Sequence, residues 1–269
     1  NATSHETRNK AKKLIKEFNV EKEAYRKTLA RLRSYLDVTE KKMVANEWDK
    51  INYEKVPSRA NLIYNNAFLR HDEDRIRIYL DQVEKGEKKI HAGKLYPHDI
   101  VHKYTEGRSW SFRRTIDKTL EELWKALPQK EIANTLVVAD GSGSMESTIG
   151  KTNISALDVA NALAIYFAEH NRGEFNNTYI TFSETPQLVK FNKTASLHDK
   201  IAICLAHDEI ANTNIKAVFE LILDTAKLNN LSQEEMPKNI LIISDMEFDS
   251  CAICGSLERP TNKLFKVIE

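Results

Sequence analysis

The sequence predicts an α/β protein in which an all-helical region is followed by a doubly wound, mostly parallel β-sheet. Two observations lead to this prediction. Up to about residue 130 the apolar residues recur every three or four positions, as they do in amphipathic helices. Beyond that point, short apolar runs rich in β-branched residues alternate with helical patterns. We therefore divide the chain into a helical region, residues 1–130, and an α/β domain, residues 131–269.

The helical region contains several amphipathic segments with recognisable ends. The segment YRKTLARLRSYL places apolar residues at a helical spacing, and DEDRIRIYLDQVEKG repeats the pattern. Gly86 stands where the second of these helices would end, and Pro97 would open the helix HDIVHKY. We expect one more helix across SFRRTIDKTLEELWKAL, with Pro128 ending it.

The α/β domain is predicted from three apolar strands and two helices. The strands are TLVVAD, NTYITFS and NILIISD, and QLVKF would form a short neighbour of the second. The helices are ISALDVANALAIYFAEH, with one apolar side, and NIKAVFELILDTAKL. This alternation is typical of a parallel sheet with helices on both faces.

Composition and charge limit the classes of function. The 269 residues are 41% hydrophobic, and no apolar run reaches the roughly 20 residues of a membrane-spanning helix. We therefore expect no membrane partner. Three cysteines are too few for a disulfide scaffold and fit a reducing compartment, so we expect an intracellular, cytoplasmic protein. Residues 1–133 contain 29 Lys and Arg against 21 Asp and Glu, a balance of +8; residues 134–269 contain 11 against 18, a balance of −7. The basic half is a hint of a polyanionic partner, although solvated helix faces give the same count.

Two of the predicted strands end in an aspartate. Asp140 closes TLVVAD and is followed by Ser142 and Ser144, and Asp245 closes NILIISD. Ligands of parallel sheets bind at the carboxyl ends of the strands, where the strand order switches. Because Thr213 lies in a loop before a helix, two carboxylates and three hydroxyls would converge on one edge of the sheet.

This set of side chains predicts a metal site. Carboxylates that lie close together repel each other unless a cation separates them. An all-oxygen set suits Mg²⁺ or Mn²⁺ better than Zn²⁺. Gly141 and Gly143 would allow the tight backbone path that turns the two serines toward one point.

The pattern Asp140-x-Ser142-x-Ser144, a threonine loop and Asp245 resembles the metal-ion-dependent adhesion site (MIDAS) of von Willebrand factor A domains. The resemblance implies that the two serines bind the metal directly and that Thr213 binds it directly or through water. The two aspartates would bind mostly through water. A carboxylate or similar anion of a partner would complete the metal's ligand shell.

The remainder of the chain resembles an uncharacterised family found in plants, fungi, bacteria and viruses. The segments that carry this resemblance are VEKEAYRK, YRKTLARL, VPSRANLIYNNAF, GKLYPHDIV and LIISDMEFD. Members of that family join a helical region to a C-terminal A-type domain, a layout similar to that of the Ro (TROVE) ribonucleoprotein. This second similarity implies a TROVE-like helical layer and, as a hypothesis, binding of structured RNA. An A-type domain has about six strands, so we expect the domain to be truncated at its C-terminus.

Two further groups of residues could form sites. Cys204, His207, Cys251 and Cys254 could form a zinc site, but their irregular spacing favours free thiols in a variable loop. The segment GRSWSFRR interleaves arginines with aromatic residues, which suits phosphate contact and base stacking as well as an ordinary core with a solvated face. The possible nucleic-acid contacts there are Arg108, Trp110, Phe112, Arg113 and Arg114.

Three functions follow from the sequence, in order of preference. The first is a non-enzymatic, Mg²⁺-dependent scaffold that recruits an acidic group of a protein partner. The second is a Ro-like RNA-binding protein that uses the basic helical half. The third is a Mg²⁺-dependent phosphoryl-transfer enzyme, for which no catalytic residues can be selected because no histidine is placed as a base and no phosphate-binding loop is present.

Overall fold

A computed structural model describes residues 5–106, 115–129, 134–207 and 214–245. Within these ranges the first half of the chain is helical and the second half contains a small, mostly parallel sheet. None of the described helices is both long and apolar enough to cross a membrane.

The predicted helices and strands occur in the predicted order, with further elements between them. The helical half contains α1 (His5–Glu17), α2 (Lys22–Tyr35), α3 (Thr39–Val44), α4 (Ser58–His71), α5 (Glu73–Glu84), α6 (Pro97–Thr105) and α7 (Lys118–Lys125). The second half contains β1 (Thr135–Asp140), α8 (Ala156–His170), β2 (Thr178–Phe182), β3 (Leu188–Lys190), α9 (Leu197–Ala206), α10 (Ile215–Leu228) and β4 (Asn239–Ile243).

The described sheet has four strands in the order β3-β2-β1-β4. Strand β1 pairs in parallel with β2 on one side and with β4 on the other, whereas β3 is antiparallel to β2. The chain therefore moves in one direction from β1 to β3 and then crosses to the other side of β1. The point where the strand order switches lies between β1 and β4, and a ligand is expected in the crevice beyond the carboxyl ends of these two strands.

The two faces of the sheet bury different helices. Leu136 and Val138 of β1 pack with Val218 and Ile222 of α10. Side chains that alternate with them, including Val137, pack against α8 and α9. This second core also contains the buried residues of α4 to α7, so it extends from the helical half into the sheet. The core is therefore continuous across the position near residue 130 where the sequence pattern changes.

The prediction that α8 has a single apolar side was too narrow. Ala160, Ala164 and Ile165 are buried, but so are Ala162 and Ala168. The reason is that α8 packs on the sheet with one side and on α6 with another. A helix that is enclosed in this way is apolar around most of its circumference.

Two other helices depart from the prediction. Helix α7 begins at Lys118, later than predicted, because the Asp117 side chain accepts hydrogen bonds from the backbone N–H of Thr119 and Leu120 and so caps it. Helix α9 was not predicted. Two of its first backbone N–H groups, those of Leu197 and His198, donate to the Glu121 carboxylate of α7. The helix also has a local cap, because the Ser196 hydroxyl accepts a hydrogen bond from the backbone N–H of Asp199. This Ser-x-x-Asp start is a local signal that the prediction missed.

A second polar contact joins α6 to α8. The Asp158 carboxylate accepts hydrogen bonds from His102 Nδ1 at 2.7 Å, from the Thr105 hydroxyl at 2.5 Å and from the Ser155 backbone N–H at 3.1 Å. Burial alone would raise the pKa of Asp158, but these hydrogen bonds and the His102 ring together lower it. The carboxylate therefore stabilises the folded chain in its ionised form.

A third contact involves a buried lysine. Lys200 of α9 donates to Glu169 Oε1 of α8 at 2.6 Å, and Trp124 of α7 donates to Glu169 Oε2 at 2.9 Å. One glutamate thus holds three helices together. Together with the Glu121 and Asp158 contacts, it fixes the helical half onto the helices that flank the sheet.

We predict that Asp158→Asn lowers the free energy of unfolding by about 3 kcal/mol at neutral pH, because it breaks a buried, hydrogen-bonded pair. Since the pKa of Asp158 is lowered on folding, its contribution is complete above the ordinary pKa of about 4 and is lost as the pH falls through the folded pKa. The difference between variant and parent should therefore shrink in acid. Chemical denaturation at several pH values measures this.

The matched control is Asp224→Asn, on the exposed side of α10. It should keep the parent's stability at neutral pH. An Asp158→Asn protein as stable as the control at neutral pH would show that the contact does not hold the two halves together.

Candidate functional site

The site is centred on Asp140, the last residue of β1. Its side chain is buried, with a residue exposure of 1%. The backbone N–H of Ser142 donates to Oδ1 at 2.9 Å, and the hydroxyl of Ser244 donates to Oδ2 at 2.7 Å. Within the described ranges no lysine, arginine or histidine forms an ion pair with this carboxylate. A buried carboxylate without a cationic partner is costly unless another charge compensates it.

The two predicted serines lie together beside Asp140. The Ser142 and Ser144 hydroxyl oxygens are 3.0 Å apart. A 3₁₀ turn, Gly143–Glu146, brings them together, with the backbone N–H of Met145 donating to the Ser142 carbonyl. Met145 is buried and anchors the turn against the core.

The expected role of Gly143 is not observed. Its φ is outside the left-handed region, and a Cβ at this position would meet no atom within 4 Å. The 3₁₀ turn itself, rather than glycine's conformational freedom at this position, places Ser144 beside Ser142.

The end of β4 forms the other side of the site. Ala139 of β1 is in register with Ile243 of β4, so the next residues along, Asp140 and Ser244, are neighbours at the carboxyl edge. Asp245 follows and is exposed. The structure thus brings Asp140, Ser142 and Ser144 together and places Asp245 directly after a residue that contacts Asp140.

Thr213 lies outside the described residues. The residue after it, Asn214, donates its backbone N–H to the carbonyl of Ser183, which follows β2. The Ser183 hydroxyl is buried and has no hydrogen-bond partner among the described residues. Side chains alternate between the two faces of a strand, so Ser183 lies on the same face as Tyr179 and Thr181. Asp140 lies on the opposite face of the sheet.

The described side chains fit a divalent, oxygen-binding cation. The buried charge of Asp140 and the paired hydroxyls of Ser142 and Ser144 are the ligand types that Mg²⁺ and Mn²⁺ prefer. In the described part of the chain, no group of three or more His, Cys, Asp or Glu side chains could hold a metal. The set at Asp140 is not such a group, because two of its described candidate ligands are serine hydroxyls rather than carboxylate, imidazole or thiolate groups.

Sequence comparisons add a family to this geometry. A family model described as "Domain of unknown function (DUF2828)" matches residues 1–136, half of the chain. The chain belongs to the DUF2828 family. A second model, "Domain of unknown function (DUF7788)", matches residues 134–265, which include the whole candidate site of this DUF2828 member.

One viral relative matches most of this DUF2828 chain. Uncharacterized protein L728 of Acanthamoeba polyphaga mimivirus is 31% identical over 253 residues, which is 87% of this chain and 41% of the relative. The chain therefore spans less than half of the relative's length. No solved structure matches this DUF2828 chain.

The other predicted sites are only partly described. Cys204 is buried in α9, and His207 Nδ1 donates to the Ile203 carbonyl oxygen of the same helix at 2.8 Å. Cys251 and Cys254 lie outside the described residues. The possible nucleic-acid contacts Arg108, Trp110, Phe112, Arg113 and Arg114 also lie outside the described residues.

A cleft at the opposite end of the sheet had no sequence signal. Its volume is about 1010 Å³, and it lies between α7, the end of α8 and the residues before α9. Three of its lysines are engaged in ion pairs: Lys118 with Asp81 and Glu84, Lys125 with Glu122, and Lys200 with Glu169. These charges are therefore paired, and they do not form a uniformly basic or acidic surface that would select an oppositely charged ligand.

We predict that the double variant Ser142→Ala/Ser144→Ala weakens Mg²⁺ binding by at least about tenfold, because it removes two oxygens beside Asp140. Isothermal titration calorimetry with Mg²⁺ measures the change. Ser147→Ala, an exposed serine just after the same turn, is the control and should bind as the parent does. Equal affinity of the double variant and the parent would exclude the two hydroxyls as ligands.

Proposed function

We propose that the chain is a non-enzymatic, Mg²⁺-dependent binding module. The observation that carries this proposal is the buried Asp140 carboxylate at the switch point of the sheet. It has no ion-pair partner among the described residues, and it accepts from the backbone N–H of Ser142, whose hydroxyl lies 3.0 Å from that of Ser144. Mg²⁺, or Mn²⁺, would balance this charge, with Asp140, Ser142, Ser144, Thr213 and Asp245 holding it.

The proposal includes a fold of the von Willebrand factor A type with a MIDAS-like site. Three features support it: the strand order β3-β2-β1-β4, the antiparallel edge strand β3 and the Asp-x-Ser-x-Ser turn after β1. The partner group would be a carboxylate of a protein, since a divalent cation that keeps an open position attracts a hard anionic oxygen. The helical half would then act as a scaffold fixed to the binding domain.

We predict that Asp140→Ala abolishes Mg²⁺ binding and removes capture of acidic peptides. A peptide library rich in aspartate and glutamate, displayed on phage, is panned on the immobilised chain with Mg²⁺ and again with EDTA. Enrichment should occur on the parent in the presence of Mg²⁺, and neither on the parent in EDTA nor on Asp140→Ala. Calorimetry with Mg²⁺ and Mn²⁺ checks the metal step separately.

Glu146→Ala is the matched control because Glu146 is acidic, exposed and in the same turn. This variant should retain both Mg²⁺ binding and the capture of acidic peptides. Unchanged Mg²⁺ affinity in Asp140→Ala would refute the site, and Mg²⁺-dependent turnover of a phosphorylated substrate would favour the enzymatic alternative instead.

A second candidate function is binding of structured RNA by the helical half. Helices α1 and α2 each contain five lysines and arginines, all of them exposed, and α2 has no buried residue. Phe18 and Tyr35 are also exposed, at 67% and 87%. Exposed cations beside exposed aromatic rings suit phosphate contact and base stacking.

We predict that Arg26→Glu/Arg31→Glu/Arg33→Glu weakens binding of a fluorescent hairpin RNA by more than about tenfold. Binding to the parent should also weaken steeply with added salt, because phosphate contacts release counterions. Fluorescence anisotropy across a salt series measures both effects.

The control for the RNA experiment carries the same change of charge on the second half of the chain, Lys216→Glu/Lys227→Glu/Lys238→Glu. These lysines are exposed. Equal losses in the two triple variants would show that net charge, and not a surface formed by α1 and α2, determines RNA affinity.

A further inference from the structure

We infer that Ser244 is a positioning residue of the metal site, a role that no feature of the sequence pattern assigned to it. This inference rests on the proposed Mg²⁺ site and adds to it the group that holds the central carboxylate. The evidence is one hydrogen bond across the sheet: the Ser244 hydroxyl donates to Asp140 Oδ2 at 2.7 Å over a separation of 104 residues.

The position of Ser244 follows from the register of the two central strands. Residues Leu136 and Val138 of β1 and Ile240 and Ile242 of β4 face the same side of the sheet. Continuing the alternation by two residues places Asp140 and Ser244 on this side, next to each other at the carboxyl edge. The hydroxyl therefore reaches the carboxylate because of the backbone pairing, and not because of a mobile loop.

The two oxygens of Asp140 are held from different directions. Oδ2 accepts from the Ser244 side chain of β4, while Oδ1 accepts from the Ser142 backbone at 2.9 Å. With a donor on each oxygen the carboxylate cannot rotate freely about its Cβ–Cγ bond. A carboxylate has about four lone-pair sites, so about two remain for a cation or its bound water. Their direction is set by the two donors.

Ser244 also connects the two acidic strand ends. It precedes Asp245, and its hydrogen bond ties the end of β4 to the end of β1. Loss of the hydroxyl would leave Asp140 held on one oxygen only and would loosen the end of β4. Groups that orient metal ligands in this way typically alter metal affinity by 10–100-fold when they are removed.

A plain stabilising hydrogen bond predicts a different result. It would lower the melting temperature equally with and without metal and would leave metal affinity unchanged. A positioning role lowers the affinity and reduces the increase in melting temperature that Mg²⁺ produces, because that increase depends on the ratio of metal concentration to Kd. Measurements in EDTA and in Mg²⁺ therefore distinguish the two roles.

The test compares Mg²⁺ affinity by calorimetry, and melting temperature in EDTA and in Mg²⁺, for four versions of the whole 269-residue chain. These are the parent, Ser244→Ala, Ser244→Thr and Ser183→Ala. Ser183 is the matched control because it is a buried serine at the same edge of the sheet, lies on the other face and makes no hydrogen bond through its hydroxyl to a described residue.

We expect Ser244→Ala to bind Mg²⁺ at least about tenfold more weakly and to show a smaller Mg²⁺-induced rise in melting temperature. Ser244→Thr, which keeps the hydroxyl, should recover most of the affinity, and Ser183→Ala should bind as the parent does. Parental affinity in Ser244→Ala overturns the positioning role while leaving the metal site intact. Failure of the parent itself to bind Mg²⁺ overturns the proposed function.

Discussion

One buried carboxylate links the two central strands of the sheet, because Asp140 of β1 accepts hydrogen bonds from Ser142 and from Ser244, which follows β4. Asp140 is almost inaccessible to solvent, yet its described neighbours donate only a hydroxyl and a backbone N–H. Neither donor carries a positive charge, so an ionised Asp140 would need a compensating cation at the point where the strand order switches between β1 and β4. Hydroxyl oxygens lie around this carboxylate: the 3₁₀ turn supplies those of Ser142 and Ser144, and the end of β4 supplies that of Ser244.

The helical half contributes to this site through rigidity rather than through ligands. Helix α8, which follows the serine turn, is enclosed between the sheet and α6, and three of its polar contacts reach α6, α7 and α9. The residues on both sides of the turn are consequently fixed. The proposed Mg²⁺ site would benefit from such support, because the affinity of a metal site depends on the precision of its ligand positions.

Much of the fold could be predicted from the sequence because it is encoded locally. Apolar periodicity revealed α2, α5, α8 and the strands, and Pro97 opens α6 as expected. Features set by distant residues could not be found: Glu121 accepts hydrogen bonds from the first amides of α9, and α8 is buried on the side that α6 covers. Helix α9 itself does have a local signal, its N-cap Ser196, which the prediction missed. The site divides in the same way. Asp140, Ser142 and Ser144 form a local motif, whereas Ser244 acquires its role only through strand pairing.

The Glu121 carboxylate has a consequence for how such chains can be dissected. The amides at the start of α9 find their acceptor on a helix from the segment matched by the DUF2828 model, although α9 itself lies in the segment matched by the DUF7788 model. Cutting the polypeptide where the two matches meet would strip those amides of their acceptor and expose the apolar flank of α8 to water. The two segments are matched by separate family models, yet in this chain they share one hydrophobic core.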